Sequence, residues 1–241
     1  MNDVWTFKMP PGDLEIDATF TDQADPATAD IVWLGASAGT ISPSFAMDII
    51  EYTVSVPHDV EGFSLYAQAK NPAAEISLEQ TPPLEQTPPI EEPPEEPGDG
   101  SVDFDTELTL AEGLNTYTIT VTPQDGESPS KTYTINVIKL PDLSLGSFKL
   151  TGESDFEQDL AQLEKQTVYV PLTEVTLTAA PADGSGATVE VKPGTEISDI
   201  NPSPPTKVTV TVSKTVSGVS TPYTKTYTLN LSYSENLTGK P

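Results

Sequence analysis

The chain has 241 residues, with 37 acidic against 11 basic for a formal net charge of −26, no cysteine and a single histidine, His58. That charge sets polyanionic nucleic acid and anionic membrane surfaces aside as partners, and the lack of thiols excludes disulfides, thiol catalysis and cysteine-based zinc sites. Thr, Ser, Val and Pro are abundant and helical periodicity is scarce, so the composition reads as all-β. No apolar run approaches the roughly 18–20 residues of a membrane-crossing helix.

In chain order, Met1 to Val4 opens neither a basic nor an apolar leader, so no signal peptide is read; if the parent is exported, this chain is an excised piece. Trp5 to Met9 and Leu14 to Phe20 alternate apolar and polar residues around the turn Pro10-Pro11-Gly12-Asp13, which predicts a hairpin over residues 1–21. This pair of strands resembles the close of the internalin-type β repeat of large bacterial surface proteins. Asp22 to Ala29 reads as a linker.

A first domain is expected over 30–140. Ile31, Trp33 and Leu34 begin a strand, and Gly39 to Phe45 is a turn-rich crossing. Ile50, Tyr52, Val54 and Val56 share one face, as do Phe63, Leu65 and Ala67. Ile76 and Leu78 mark a short strand. The stretch from Val102 to Leu110 reads as another. Two more follow, carrying Tyr117, Ile119 and Val121, then Tyr133, Ile135 and Val137. Seven or eight short strands near ten-residue spacing predict a sandwich. Residues 80–99 form a Pro/Glu-rich insert in which paired prolines forbid both a helix and a central strand.

The chain then repeats itself. Lys131-Thr132-Tyr133-Thr134-Ile135-Asn136-Val137 returns as Lys225-Thr226-Tyr227-Thr228-Leu229-Asn230-Leu231, 94 positions later. Tyr52 to Pro57 is echoed by Gln166 to Pro171, 114 positions later. The two offsets differ by the length of the insert, so a second domain of the same kind is expected over 142–234, with a tail at 235–241. Val168, Val170, Val175 and Leu177 fit its core, and Val208, Val210 and Val212 fill its penultimate strand. Two features of the first copy are missing from it, the Ser-Pro-Ser-Phe turn and the Gly-Leu-Asn approach to the penultimate strand. Ser154 with Glu157 makes a capping box, and Phe156, Leu160 and Leu163 lie at helical spacing, which predicts one short helix over 155–164.

Leu34 to Phe45 followed by Tyr52 to Pro57 is similar to the opening of the cadherin-like β-sandwich domain of bacterial surface proteins. Gly113-Leu114-Asn115-Thr116-Tyr117 and the strand from Lys131 resemble its last two strands. The resemblance implies an immunoglobulin-like spacer or adhesion module, not calcium-dependent as a rule, with no catalytic residues to carry over and an extracellular setting. The fold class expected is therefore all-β, two immunoglobulin-like sandwiches in tandem after a short hairpin remnant.

Candidate chemistry is sparse. The insert reads as a solvated loop, with a polyproline ligand for an aromatic groove as the sharper alternative. Asp99, Asp103 and Asp105 invite a calcium reading, but alternation about Phe104 places the last two along an acidic strand edge that discourages aggregation. His58 is a turn residue with no Ser or Asp arranged as a triad, and the glycines at 184, 186 and 194 punctuate turns. Tyr52, Tyr117, Tyr133 and Tyr227 are in phase with Val and Ile and are assigned to the core, with Trp33 in an apolar run. Trp5, Phe7, Tyr66, Tyr169, Tyr223 and Tyr233 remain as exposed rings for a carbohydrate-binding alternative. No catalytic, cofactor or metal residues are assigned. The partners expected are neighbouring domains of a larger surface protein, and cell-wall or host glycan or protein, without nucleic acid or membrane insertion.

Overall fold

The computed structural model describes residues 25–81, 101–103 and 108–235. The N-terminal hairpin, most of the Pro/Glu insert, Asp99 and Asp105 lie outside them. Sixteen strands and no helix occur among the described residues. The first eight are β1 (Ile31–Ala36), β2 (Thr40–Ser42), β3 (Glu51–Val56), β4 (Leu65–Ala69), β5 (Glu75–Thr81), β6 (Ser101–Asp103), β7 (Gly113–Thr122) and β8 (Lys131–Lys139). They form a three-stranded sheet, β1-β4-β6, facing a five-stranded sheet, β2-β3-β8-β7-β5. Period-two alternation puts Tyr52, Val54 and Val56, then Tyr117, Ile119 and Val121, then Tyr133, Ile135 and Val137, on the inner face. Against them from the other sheet stand Ile31, Leu34, Leu65 and Ala67.

The remaining strands are β9 (Leu145–Gly152), β10 (Phe156–Asp159), β11 (Lys165–Val170), β12 (Val175–Pro181), β13 (Thr188–Lys192), β14 (Glu196–Ile197), β15 (Thr206–Lys214) and β16 (Tyr223–Tyr233). Their sheets, β10-β9-β12-β14 and β11-β16-β15-β13, enclose a separate core built around Leu150, Leu177, Val210, Tyr227 and Leu229. Both bodies share one plan. An early strand pairs in parallel with the last strand, β3 with β8 and β11 with β16, and the register is the same, Glu51 opposite Thr134 and Lys165 opposite Thr228. The echoes of 114 and 94 residues thus mark equivalent strands. The change of offset falls between β5 and β6, where the insert lies. This parallel closure, with antiparallel neighbours elsewhere, makes both bodies immunoglobulin-like sandwiches.

The plans diverge between the first strand and the parallel one. In the first body the extra strand β2 hydrogen-bonds β3, whereas in the second β10 folds back on β9 in the opposite sheet. Here the expected helix at 155–164 is overturned. Ser154 and Asp155 take left-handed φ of 59° and 58°, and the Phe156 N–H donates to the Glu153 carbonyl at 3.3 Å, a type I′ turn that closes the β9–β10 hairpin. A capping Ser needs extended φ, so the capping box cannot form. Of the helically spaced residues Leu160 is buried, Phe156 half-buried and Leu163 exposed, so they share no face. Gln162 then bridges the chain to β9, its amide donating to the Leu145 carbonyl at 2.6 Å and its carbonyl accepting from the Leu145 N–H at 2.9 Å.

Two further assignments are corrected. Trp33 is 48% exposed, because a bulge between Ile31 and Trp33 turns both Val32 and Trp33 outward before Leu34 points in again. Ile50 precedes β3 and is exposed instead of sharing the Tyr52 face. Of the expected strand from Val102 to Leu110, the described residues show the end of β6 and a single bridge from Leu108 to Phe63, and residues 104–107 lie outside them. The insert starts later than read, since Gln80 and Thr81 belong to β5.

The four core tyrosines are fully buried, and three use their hydroxyls to tie neighbouring segments to the core. Tyr52 donates to the Ala46 carbonyl at 2.8 Å, Tyr133 accepts from the Ile31 N–H at 3.1 Å, and Tyr227 donates to Gln162 Oε1 at 3.2 Å. Lys131 and Lys225 sit over the Tyr133 and Tyr227 rings at 5.1 and 5.3 Å, the same contact in each body. Tyr117 differs: its hydroxyl is buried with no partner, and burial pushes its pKa up to about 12. Removing an unsatisfied hydroxyl relieves a desolvation penalty, so Tyr117→Phe is expected to stabilise the first sandwich by about 1 kcal/mol in urea unfolding. Tyr52→Phe, which loses a made bond, should destabilise it. In the unfolded chain Tyr117 ionises near the ordinary value of 10.0, below its folded value. Ionisation of Tyr117 therefore leaves the stability of the first sandwich untouched below pH 10 and lowers it as pH rises from 10 towards 12. Tyr117→Phe should flatten that alkaline loss.

Candidate functional sites

Two places combine defined geometry with exposure: the junction between the sandwiches and an aromatic pair on the three-stranded sheet. The junction starts from Asn115, whose buried side chain organises the bend before β7. Its carbonyl accepts from the Ala111 N–H at 3.0 Å, and its amide donates to the carbonyls of Ala111 at 2.8 Å and Gly113 at 3.0 Å. This is the physical content of the Gly-Leu-Asn motif: Asn115 holds Glu112, Gly113 and Leu114 as a protruding edge. The second sandwich meets that edge with its 215–222 loop. The Leu114 N–H donates to the Ser217 carbonyl at 2.9 Å, and Lys214 Nζ lies 2.5 Å from Glu112 Oε1. In the connecting segment Pro141 is buried, and the Leu140 N–H donates to the Val56 carbonyl at 2.8 Å.

His58, read as a turn histidine, is half exposed, and its Nε2 lies 3.8 Å from Asp142 Oδ1 across the same junction. Burial alone would raise the Asp142 pKa, but hydrogen bonds from Ser144 and the His58 and Lys225 charges hold it below the ordinary carboxylate value. The pair orders the connection and brings no nucleophile with it. Gly184 and Gly186 take left-handed φ in the turn before β13, as their punctuating role requires.

The aromatic pair was half legible in sequence. Tyr66 was set aside as an exposed ring, while Trp33 was assigned to the core. The structure brings them together on the outer face, ring centroids 6.3 Å apart and planes tilted by 31°. Gly35 makes room for the indole: a Cβ there would stand 2.6 Å from the Trp33 ring atoms. Gln68 lies opposite Trp33 in register, and Asp103 pairs with Tyr66 from β6 at the sheet edge. Tyr169 is exposed on β11, and Tyr223 and Tyr233 are half-buried on β16, away from this pair. An open groove of about 500 Å³ between β9, β12 and β14 is lined by Thr151, Leu172, Glu174, Thr176 and Glu196. Among the described residues no three His, Asp or Glu side chains gather as a metal site. No helix among them is long and apolar enough to cross a membrane.

Residues 28–140 match the family model described as a cadherin-like beta sandwich domain, which spans the whole of the first sandwich. No curated protein matches the chain. Among solved structures it is similar to Drosophila N-cadherin EC1-4 at 12% identity, over 82% of this chain and 49% of that one, with a TM-score of 0.27. It is also similar to the titin A168–A169 segment at 9% identity, over 76% and 96%, with a TM-score of 0.27. A third likeness is to the Ig1-2 module of the Drosophila receptor protein tyrosine phosphatase DLAR, at 7% identity over 83% and 98%, with a TM-score of 0.24. The chain spans about half the length of the N-cadherin fragment. At such scores the fold assignment rests on strand order and on the family match.

Proposed function

We propose that the chain is a non-enzymatic spacer or adhesion segment of an exported bacterial cell-surface protein, with folding units at 30–140 and 142–234 joined end to end. The observation that carries this reading is the pair of closed cores: the large inward-facing side chains, Tyr52, Tyr117, Tyr133 and Tyr227 among them, are spent on packing in both bodies. Its mechanism is steric, holding another part of the parent protein away from the envelope. The net charge of −26 keeps the segment soluble and self-repelling. The test places the chain between a surface anchor and a reporter domain on a bacterial cell. Deleting it should reduce access of a large ligand to the reporter, and an unrelated two-sandwich segment of equal length should restore that access. Failure of the unrelated segment to restore it would overturn the reading.

A second reading, a carbohydrate-binding module, is favoured by one observation, the exposed Trp33 ring beside the half-buried Tyr66 ring, with Gln68 opposite Trp33 in register. An exposed aromatic face with a nearby amide suits the apolar face of a sugar ring. On a glycan array this reading predicts binding that Trp33→Ala abolishes while the fold is retained. Absence of binding by the unaltered chain removes it.

A further inference from the structure

Two glycines meet across the junction, and each fits against the opposing sandwich where no side chain can. Gly113, at φ 96°, approaches the second sandwich so closely that a Cβ would stand 2.4 Å from the Ser217 carbonyl oxygen. Gly218, at φ 73°, faces back, where a Cβ would stand 2.6 Å from the Cβ of Leu114. Between them runs the Leu114 to Ser217 hydrogen bond at 2.9 Å. Val216, next in the loop, is only 5% exposed. Lys214 completes the arrangement. Its ammonium donates to the Ser185 carbonyl and pairs with Glu112 at 2.5 Å, so one side chain ties together the 182–187 loop, the end of β15 and the first sandwich. Few lysines exist in this acidic chain, and this one is largely buried at the joint.

We propose that the 215–222 loop is a latch that clasps the Glu112–Leu114 edge and locks the two sandwiches into one rigid body of fixed mutual orientation. The proposal rests on the spacer reading and deepens it: a spacer so latched transmits direction as well as distance. At Gly113 the opposing atoms are backbone, and at Gly218 the nearest is the Leu114 Cβ, which no χ rotation moves, so neither approach can be relieved by a change of rotamer. A connection with Pro141 buried in it removes the slack that would let the latch open by sliding.

The first sandwich supplies the control. Gly126 occupies the equivalent loop between β7 and β8 at φ 64°, yet a Cβ there would meet nothing within 4 Å. Gly126→Ala and Gly218→Ala carry the same backbone strain, and only the second collides with the other sandwich. Spin labels at Ser77→Cys and Glu190→Cys, both exposed strand positions in a chain without native cysteine, report the distance between the bodies by double electron–electron resonance. The unaltered joint should give one narrow distance distribution, which Gly126→Ala leaves narrow and Gly218→Ala broadens. The milder pair Glu112→Gln with Lys214→Met should also broaden it, and carries the test if Gly218→Ala unfolds its own sandwich. A broad distribution in the unaltered chain overturns the proposal, as does equal behaviour of the two alanine variants. Either outcome would leave the spacer reading intact, since a flexible two-sandwich segment still restores reporter access.

Discussion

Replacing Tyr227 by alanine is expected to unfold the second sandwich under conditions in which the first stays folded. Tyr227 has no exposed surface, its ring lies 5.5 Å from that of Phe148, and its hydroxyl is bonded to Gln162. Deleting a buried aromatic side chain costs about 3–5 kcal/mol through lost transfer energy and the cavity left behind. That is a large part of the roughly 5–15 kcal/mol a single domain commands. The chain carries its own local probe, because both tryptophans, Trp5 and Trp33, precede the second sandwich. Tyr227→Ala should therefore lower the transition seen by far-ultraviolet circular dichroism and leave the tryptophan fluorescence transition near its original midpoint. Coincident shifts of both signals would mean that the two cores are one.

Asn115→Ala is expected to act in the opposite body and to reach the joint. The substitution strips the partners from the Ala111 N–H and from the Ala111 and Gly113 carbonyls. A buried polar group left unpaired costs about 1–3 kcal/mol. Ala111 is exposed and water can replace its partners, so the total expected for Asn115→Ala is about 2–3 kcal/mol. This loss should appear in the tryptophan transition. Asn115→Asp should do no better, since a carboxylate would face two carbonyl oxygens that now receive N–H donors. Either variant frees the Glu112–Leu114 edge and should broaden the distance distribution between the sandwiches. A variant that melts earlier but keeps the narrow distribution would separate the motif from the joint.

Much of the fold was legible because it is written in period-two alternation, which a strand with one buried face cannot hide. The repeated strands carried their register with them, so the two offsets showed an insert between β3 and β8, and its Pro/Glu composition placed it between β5 and β6. The helix expected at 155–164 failed for a definite reason. A capping box and three helically spaced apolar residues fit within ten positions, while the deciding feature is the left-handed Ser154-Asp155 pair, which closes a hairpin. Gln162 contributes through Leu145, 17 residues away, and through the Tyr227 hydroxyl, 65 residues away. Trp33 was misplaced because the run Ile31-Val32-Trp33-Leu34 is apolar throughout, and a bulge that shifts the phase leaves no mark in such a run. The joint was least legible. Glu112 and Lys214 are far apart in sequence, and the only local signal was Gly-Leu-Asn, a motif whose absence from the second copy was visible without its meaning.

Stretching the whole chain from its two ends in a force-extension experiment tests the account most directly. Two self-contained sandwiches, each closed by a parallel pairing of an early strand with the last, should resist extension and then yield in two separate steps. Each step should release a length set by its own body, at no more than about 3.6 Å per residue. A single step spanning both cores, or smooth extension without steps, would contradict the picture of two closed bodies in series.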